Sequence, residues 1–385
     1  MLNNNYNKTL TNSIKKKLQT TFKGIGYFLG TAFYGKIRGV AEIKNNQLIK
    51  IQEKTLDPNY HYKVYHIQDC RLYTDTVNDA AFITKDKIID GPSYQYRTEK
   101  SEGVKNANIF QNIVFKKGTA RLKKKINGTV FSLLTGGAGN SNYWHWLFDV
   151  LPRLKILEEK INLDKIDFFL FPDISEKFQK ETVDLLNIPQ DKIISSKQFR
   201  HISADQIIAV DHPYVIKNDP SIEIQNMPQW ILKFLREKFV RKKILKKFPE
   251  KFYIDRKDSK SNHRHLRRIL NEDEVKKFLI QKGFSIVTLS DYTFEDQVNL
   301  FYNAKKIVGL HGAGFANLTF SQSETLVLEL KPETAGSVIE NLAKNLNLDY
   351  REISIKSSEY SNNDQQGLIS VPINLLEKKI EIDYK

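Results

Sequence analysis

Residues 306–317 constrain the fold more than any other stretch of the chain. Residues 307–310 are apolar and predict a buried strand, His311 follows, and the small-residue run Gly312-Ala313-Gly314 leads into a second apolar segment that can start a helix. A small-residue turn between a buried strand and a helix lets a ligand approach the backbone closely. Because N–H groups point outward at such a turn, it suits an anion such as a diphosphate.

Predicted strands and helices alternate on both sides of this turn. Apolar runs at 252–254, 285–288 and 325–330 predict three more strands, and Asn271 and Thr293 each precede acidic residues at the spacing of a helix N-terminus. This order predicts an α/β fold with a parallel, doubly wound sheet. In such sheets ligands bind at the carboxyl ends of the strands, which is where the glycine turn falls.

The composition limits the classes of partner. The chain has 385 residues, enough for two domains with buried cores, and a net charge of +15, which suits a phosphorylated substrate or an anionic membrane surface. No zinc-finger spacing or aromatic ribonucleoprotein signature is present, so we expect no nucleic-acid partner. Cys70 is the only cysteine and residues 1–12 lack a secretory pattern, so we expect a cytoplasmic location.

The pattern along the chain predicts four segments. Residues 1–40 mix basic and aromatic side chains, which suits either binding to an anionic membrane surface or a first helix packed on its own domain. A long basic amphipathic helix over 228–248 is expected to join two domains. The second segment is an N-terminal acceptor-side domain over 41–240, β-rich over 41–130 and α/β over 131–240. The third is a C-terminal Rossmann-like domain over 241–355. The fourth is a tail over 356–385, which we expect to fold back on the N-terminal domain.

A second motif lies around the two neighbouring tryptophans. Asn142 can cap a helix that is predicted from Tyr143 to about Glu159. His145 and Asp149 are four residues apart and would share one face of that helix. Asp149 would then either orient the imidazole and raise its basicity or act as the base itself. The alternative is an aromatic-rich core helix whose histidine is merely hydrogen-bonded.

The same motif suggests contacts to a sugar acceptor. Trp144 and Trp146 flank His145, and an indole ring at either position can stack on a sugar ring. If the chain acts on a sugar acceptor, Asn142, Trp144 and Trp146 are the residues that we predict to bind it.

A third motif is a basic loop after the strand at 252–254. Arg256 stands at the strand end, and guanidinium groups there suit bidentate recognition of phosphate. Arg268 is the second predicted phosphate ligand, whereas Arg264 and Arg267 are interpreted as part of a solvated basic loop.

Two enzyme classes fit the glycine turn poorly. A His-Gly-Ala-Gly run can form an esterase oxyanion hole, but the chain has no G-x-S-x-G nucleophile elbow. A G-x-G-x-x-G fingerprint is also missing, so NAD is a poor fit. Glu329 ends the strand after the turn and would either accept ribose hydroxyls or pair with a surface lysine. No D-x-D motif lies in a strand-end loop, which argues against a metal-dependent sugar transfer.

Taken together and in this order, the motifs resemble glycosyltransferase family 61, including its bacterial capsular-polysaccharide members. The matching stretches are 142–153, 253–256, 267–272, 297–304, 307–317 and 327–330. The resemblance implies a GT-B fold, in which two Rossmann-like domains face a cleft, and an inverting transfer without an obligatory metal or other cofactor. The family motifs carry over onto His145, Asp149, Arg256, Arg268, His311, Gly312, Gly314, Asn317 and Glu329. The insertion 258–265 leaves the register of Arg264 open.

The predicted function is therefore an inverting glycosyltransferase that moves a sugar from a nucleotide-sugar, UDP-linked donor to a hydroxyl of a surface polysaccharide or glycolipid. Its base would be His145 or Asp149. The predicted donor-binding residues are Arg256, Arg268, His311, Gly312, Ala313, Gly314, Asn317 and Glu329. The alternative is a catalytically inactive protein of the same fold that binds glycans or serves as a scaffold in a polysaccharide assembly complex.

Overall fold

The computed structural model describes most of the chain, and two compact units emerge from its internal contacts. The described residues are 20–43, 46–74, 80–95, 108–134, 136, 141–216, 220–241, 246–258, 267–357 and 367–381. The N-terminal unit contains Met1–Asn140, Asp149–Ile174 and Pro189–Ser221. The C-terminal unit contains Ser141–Phe148, Ser175–Ile188 and Ile222–Lys385.

The N-terminal unit is built on a mixed sheet. Its strands are β1 (Gly39–Ala41), β2 (Ile49–Asp57), β3 (Tyr60–Ile67), β4 (Arg71–Tyr73), β5 (Ala81–Thr84), β6 (Lys87–Ile89), β7 (Lys124–Ser132), β8 (Phe168–Phe171), β9 (Ile193–Ser195) and β10 (His201–Val210). The order is β1-β6-β5-β4-β10-β7-β8-β9, and β3 pairs with both β10 and β2. Strands β10, β7, β8 and β9 are parallel, so the predicted β-rich and α/β stretches share one sheet.

Helical segments of this unit are few and mostly short. They are the helix over residues 20–34, Val114–Lys117 and Pro152–Glu158, with 3-10 turns at Ile109–Gln111, Leu163–Lys165 and Gln190–Lys192, and Pro220–Glu223 at the boundary of the two units. The β-rich stretch predicted over 41–130 includes an apolar run at 109–115 that predicts a strand, but the run is helical. The Asn108 side chain accepts a hydrogen bond from the Phe110 N–H, and this cap favours a helical turn over an extended strand.

The predicted helix from Tyr143 to Glu159 is present but is not uniform. Tyr143–His145 is α-helical, Trp146–Val150 is a π-helix, and Pro152–Glu158 is α-helical again. Pro152 has no N–H to donate to the carbonyl of Phe148, and its ring would crowd that carbonyl in a regular α-helix. The helix therefore takes the wider π-helical form in the turn just before the proline.

The C-terminal unit contains the parallel sheet that the alternating pattern predicts. Its strands are β11 (Lys251–Asp255), β12 (Arg267–Ile269), β13 (Ser285–Thr288), β14 (Lys306–Leu310), β15 (Leu326–Pro332), β16 (Asp349–Ile355) and β17 (Gly367–Ile369). Five of them form a parallel sheet in the order β13-β11-β14-β15-β16, and β12 pairs with β17. Since helices alternate with these strands, this unit is α/β.

The helices of this unit bury one apolar side each. They are Lys177–Leu185, Gln229–Phe239, Glu272–Gln281, Phe294–Tyr302, Val338–Asn345 and Ile373–Glu381, together with 3-10 helices at Leu289–Asp291 and Ala313–Phe320. The helix expected over 228–248 is shorter than predicted. It ends at Phe239 because Val240 adopts an extended backbone, and residues 242–245 lie outside the described part of the chain.

The C-terminal tail packs differently from the prediction. Instead of folding back on the N-terminal domain, it forms β17, which pairs with β12, and then the helix Ile373–Glu381. Leu376 and Ile380 of this helix enter the same core as Val275 and Leu279. Burial of these apolar side chains fixes the tail on the C-terminal unit.

Within the described parts of the chain, no helix has both the length and the apolarity that are needed to cross a lipid bilayer.

Candidate active site

The strand order of the C-terminal unit marks one position for a ligand. The chain leaves β11 for β13 on one side and later enters β14 on the other side of β11. Strands on either side of such a reversal leave a crevice at their carboxyl ends. Arg256 directly follows β11, and His311 directly follows β14. Residues from two distant parts of the sequence therefore meet at the expected binding position of the sheet.

The glycine turn presents its backbone at this position. Gly312, Ala313 and Gly314 are half-buried, and their three N–H groups have no hydrogen-bond acceptor among the described residues. The Phe315 N–H closes the first turn of the 3-10 helix on the Gly312 carbonyl. N–H groups at the start of such a helix attract an anion.

Glycine at position 312 keeps two arginines accessible. A Cβ on Gly312 would lie 3.6 Å from Cζ of Arg256 and 3.7 Å from Nη1 of Arg267. Any larger side chain would therefore lie on the guanidinium groups. At position 314 a Cβ would lie 3.0 Å from Cδ1 of Leu289, so the turn also packs tightly against this side chain.

The guanidinium groups of Arg256 and Arg267 converge on this turn. Both donate a hydrogen bond to the carbonyl oxygen of His311, Arg256 at 3.3 Å and Arg267 at 2.5 Å. Burial lowers the pKa of Arg256. Burial, with the charge of Arg256 adding to it, lowers the pKa of Arg267 to about 10. Both remain cationic at neutral pH, so the turn carries two positive charges close together, an arrangement that an anion would stabilise.

The predicted second arginine is placed elsewhere. Arg268 is exposed, whereas Arg267 lies beside Arg256. Successive residues of a strand face opposite sides, and Ile269 of β12 is buried in the core. Arg267 therefore shares the inward side with Ile269. Arg264 lies outside the described residues.

A buried carboxylate holds the imidazole of His311. Nδ1 of His311 donates to Oε1 of Glu329, and the hydroxyl of Tyr350 lies 2.5 Å from Oε2 of the same carboxylate. Burial and the carboxylates of Glu329 and Glu352 raise the pKa of Tyr350 far above its ordinary value, so the hydroxyl stays protonated and donates. Among the described residues, Nε2 of His311 has no hydrogen-bond partner.

This geometry corrects the expected role of Glu329. The side chain is fully buried and both of its oxygens are engaged, by His311 and Tyr350. It is therefore neither an acceptor that a ribose hydroxyl can reach nor a surface partner of a lysine.

The start of the tryptophan-containing helix is attached to the 3-10 helix after the glycine turn. Asn142 caps it, as predicted, by accepting from the Trp144 N–H at 2.9 Å. The hydroxyl of Tyr143 donates to Oδ1 of Asn317 at 2.6 Å, and Nδ2 of Asn317 donates to Gln297 at 3.1 Å. His145 follows two residues after Tyr143, is buried, and belongs to the same unit as the glycine turn.

Three predicted ligand contacts are structural in this arrangement. Asn317 is fully buried and holds the Tyr143 hydroxyl, so it is not exposed to a donor. Trp146 is fully buried and its indole N–H donates to Oγ1 of Thr182, so it is not available to stack on a sugar. Trp144 is 6% exposed and packs edge-on against Phe148, and its indole N–H is buried without a partner among the described residues.

Asp149 is held by side chains of the N-terminal unit. Oδ1 accepts from the Tyr214 hydroxyl at 2.7 Å, and Oδ2 lies 3.7 Å from Nε2 of His212. Nδ1 of His212 accepts from the backbone N–H groups of Tyr214 and Val215, so the ring proton is on Nε2 and faces Asp149. Asp149 is 1% exposed. Two of its contacts are therefore to Tyr214 and His212 of its own unit.

Several of these residues were missed by sequence reasoning. Arg267 could have been found from the alternation of β12 if Ile269 had been identified as the inward residue. Tyr143, Tyr350, His212 and Tyr214 carry no local motif. Among the described residues, no group of three or more His, Cys, Asp or Glu side chains is arranged to hold a metal ion.

A comparison with known protein families finds a match. The model of the family described as Glycosyltransferase 61 matches residues 143–328, which contain both the tryptophan-containing helix and the glycine turn. None of the curated proteins matches the sequence.

Proposed function

Residues 143–328 belong to glycosyltransferase family 61, and from this premise we propose that the protein transfers a sugar from a nucleotide-sugar donor, UDP-linked, to a hydroxyl group. Glycosyltransferase activity in general follows from membership of this family. The acceptor we propose is a growing surface polysaccharide or glycolipid, made on the cytoplasmic side of the membrane. The GT-B class belongs to the same proposal, and it is supported by parallel strands with flanking helices in each unit.

One observation carries the proposal. At the carboxyl ends of β11 and β14, Arg256 and Arg267 converge on the glycine turn, whose three N–H groups have no acceptor among the described residues. Two guanidinium groups and three backbone N–H groups suit the two phosphates of a nucleoside diphosphate. A sugar nucleotide contains this group, and the diphosphate is the leaving group in sugar transfer.

The same groups would act on the reaction itself. As the bond between the anomeric carbon and the diphosphate oxygen breaks, negative charge grows on the leaving oxygen. Donors that are already oriented toward that charge stabilise the transition state more than the ground state. Arg256 and Arg267 would supply the positive charge for the departing diphosphate, so we propose a transfer that needs no metal ion. Nε2 of His311 would add one more contact to the donor.

We assign the general base to His145 rather than Asp149. Oδ1 of Asp149 accepts from the Tyr214 hydroxyl, Oδ2 lies 3.7 Å from Nε2 of His212, and the carboxylate is almost fully buried. His145 follows Tyr143, whose hydrogen bond to Asn317 fixes the helix start on the unit that carries the glycine turn. A histidine that takes the proton of the acceptor hydroxyl would allow a single in-line displacement, which inverts the anomeric configuration.

The test is a panel of nucleotide sugars, each assayed by release of its nucleotide in the presence of a lipid-linked acceptor and of EDTA. We expect one sugar nucleotide to be turned over, and we expect EDTA to leave the rate unchanged. A product of unchanged anomeric configuration, or a rate that EDTA abolishes and Mg²⁺ or Mn²⁺ restores, would contradict the mechanism. Binding of a nucleoside diphosphate without turnover of any donor would favour the alternative, an inactive protein that binds glycans or serves as a scaffold.

A further inference from the structure

The helix over residues 20–34 exposes an unusually apolar side to solvent. Five large apolar side chains of this helix are between 48% and 75% exposed. They are Phe22, Ile25, Phe28, Leu29 and Phe33. At 100° per residue these positions form one continuous stripe along the helix. We call this stripe the apolar face of the first helix.

On its opposite side, the same helix carries two glycines at which it approaches the backbone of its unit closely. A Cβ on Gly30 would lie only 1.6 Å from the carbonyl oxygen of Thr119, and one on Gly26 would lie 3.0 Å from that of Ala120. The glycines let the helix approach the segment 118–120 closely. An ordinary amphipathic helix buries its large apolar residues, whereas this helix leaves five of them exposed and packs on its unit through its glycines and the half-buried Tyr34.

Two chain segments beside the apolar face are rich in basic residues. Residues 20–41 and 116–125 contain nine Lys or Arg residues and no Asp or Glu. The two segments meet at Gly30 and Thr119, and again where the Lys123 N–H donates to the Tyr34 hydroxyl at 2.9 Å. Arg121, Lys123 and Lys124 are exposed. Next to them, Leu122 is 82% exposed and adds another apolar side chain.

We propose that this face binds the surface of an anionic lipid bilayer, with the helix lying in the plane of the interface. Aromatic and aliphatic side chains would enter the boundary between headgroups and acyl chains, and the flanking Lys and Arg would contact lipid phosphates. A second copy of this chain is a poorer occupant, because association would bring two basic surfaces together. The inference does not depend on the identity of the sugar donor.

The test is co-sedimentation of the full-length protein with sucrose-loaded vesicles. Vesicles of phosphatidylcholine alone are compared with vesicles that also contain phosphatidylglycerol, at low and high NaCl. We expect binding to the anionic vesicles, weaker binding to the neutral ones, and a decrease with salt. Binding to neither kind of vesicle would overturn the proposal, and so would equal binding to both.

The apolar contribution is tested with a double variant, Phe28→Ser and Phe33→Ser. Since each exposed phenylalanine would lose its burial in the interface, we expect the partition coefficient to fall about tenfold or more. The matched control is Phe110→Ser with Ile280→Ser, which removes two exposed apolar side chains elsewhere, at 61% and 57% exposure. This control should bind like the unaltered protein.

Sedimentation equilibrium without lipid separates the two possible occupants of the face. We expect the unaltered protein and the Phe28 and Phe33 double variant to have the same mass in solution. If the unaltered protein is a dimer that the double variant dissociates, or if that variant binds anionic vesicles as well as the unaltered protein, the membrane proposal is wrong.

Discussion

Glu329 and His311 form a buried pair directly behind the glycine turn: the imidazole Nδ1 donates to a carboxylate that is fully buried. The pair fixes the orientation of the ring, and the Tyr350 hydroxyl fixes the carboxylate in turn. His311 therefore contributes in two ways. Its side chain is positioned by Glu329, and its carbonyl oxygen receives both arginines.

The first prediction concerns Glu329→Gln. The neutral amide has the same volume as the carboxylate but replaces the charge-assisted hydrogen bond to His311 with a weaker one. A hydrogen bond to a charged group contributes about 1.5–3 kcal/mol, so we expect kcat/KM to fall roughly 10- to 100-fold. Because Glu329 positions His311, affinity for the nucleoside diphosphate should fall as well. Glu340→Gln, on an exposed helix of the same unit, should change neither quantity. Unchanged kcat/KM in Glu329→Gln would show that the pair only holds the turn.

The second prediction separates His145 from Asp149. If His145 is the base, His145→Gln should lower kcat by roughly 10²–10⁴ while the affinity for the nucleoside diphosphate stays unchanged. Asp149→Asn should instead act on stability, because an amide that keeps its oxygen toward Tyr214 turns its NH₂ group toward the N–H of His212. Two N–H groups that face each other in a buried position, without an acceptor between them, lower the free energy of unfolding by about 1–3 kcal/mol.

Urea denaturation and initial rates, measured on the same preparations, check whether His145 acts in catalysis and Asp149 in stability. Asp191→Asn, an exposed position of the N-terminal unit, is the control for loss of a carboxylate. A loss of kcat in Asp149→Asn at unchanged stability, together with an active His145→Gln, would assign the base to Asp149.

The sequence predicts the parallel sheet and the place of the turn because both depend on local signals. Strand periodicity, helix caps at Asn142 and Thr293, and the glycines of the turn are all visible within a few residues. The partners of Asp149 are not, because Tyr214 stands 65 residues later in the chain. No local pattern indicates which side chain a buried carboxylate will meet at such a separation.

The sequence alone does not show which of Arg267 and Arg268 lies beside Arg256, for a different reason. Either Ile269 or Leu270 could have been the inward apolar residue, and the two choices place opposite arginines on the inner side of the strand. Pairing of β12 with β17 buries Ile269 and leaves Leu270 46% exposed. That pairing depends on residues almost a hundred positions away, so only tertiary structure decides it.

The third prediction concerns the glycine side of the first helix. Gly30→Ala places a methyl group 1.6 Å from the Thr119 carbonyl oxygen, so the helix must shift away from segment 118–120. We expect a loss of about 1–3 kcal/mol in the free energy of unfolding, which is typical of overpacking. Gly24→Ala, where a Cβ meets nothing within 4 Å, should be neutral or stabilise the helix by up to about 1 kcal/mol. Equal denaturation midpoints for the two variants would contradict this packing.

The fourth prediction is a pH dependence of stability that arises from His201. The imidazole donates from Nδ1 to the Arg121 carbonyl at 2.7 Å, and its Nε2 lies 3.2 Å from Nη1 of Arg71. Burial, with the charge of Arg71 adding to it, lowers the pKa of His201 from 6.5 to about 4. Between these two values the unfolded chain binds the proton and the folded chain does not. Stability should therefore fall as the pH drops from about 6.5 to about 4, by on the order of 3 kcal/mol.

Denaturation curves at pH 7.5 and pH 4.5 check this contribution. His201→Gln should lose less stability between the two pH values than the unaltered protein, whatever its starting stability. His61→Gln, at an exposed position of the same unit, should keep the full dependence. An identical pH dependence in the unaltered protein and His201→Gln would mean that other groups cause it.

The central claim is that the arginines at the glycine turn bind the diphosphate of the donor. Titration calorimetry of a nucleoside diphosphate panel, with the matching nucleosides as controls, tests it most directly. At least one diphosphate should bind, and its nucleoside should bind far more weakly. Arg256→Gln and Arg267→Gln should each weaken that binding by about 10- to 100-fold, the cost of one charge-assisted contact, whereas Arg268→Gln should leave it unchanged. If no diphosphate binds, or if Arg268→Gln weakens binding as much as Arg267→Gln does, the claim is contradicted.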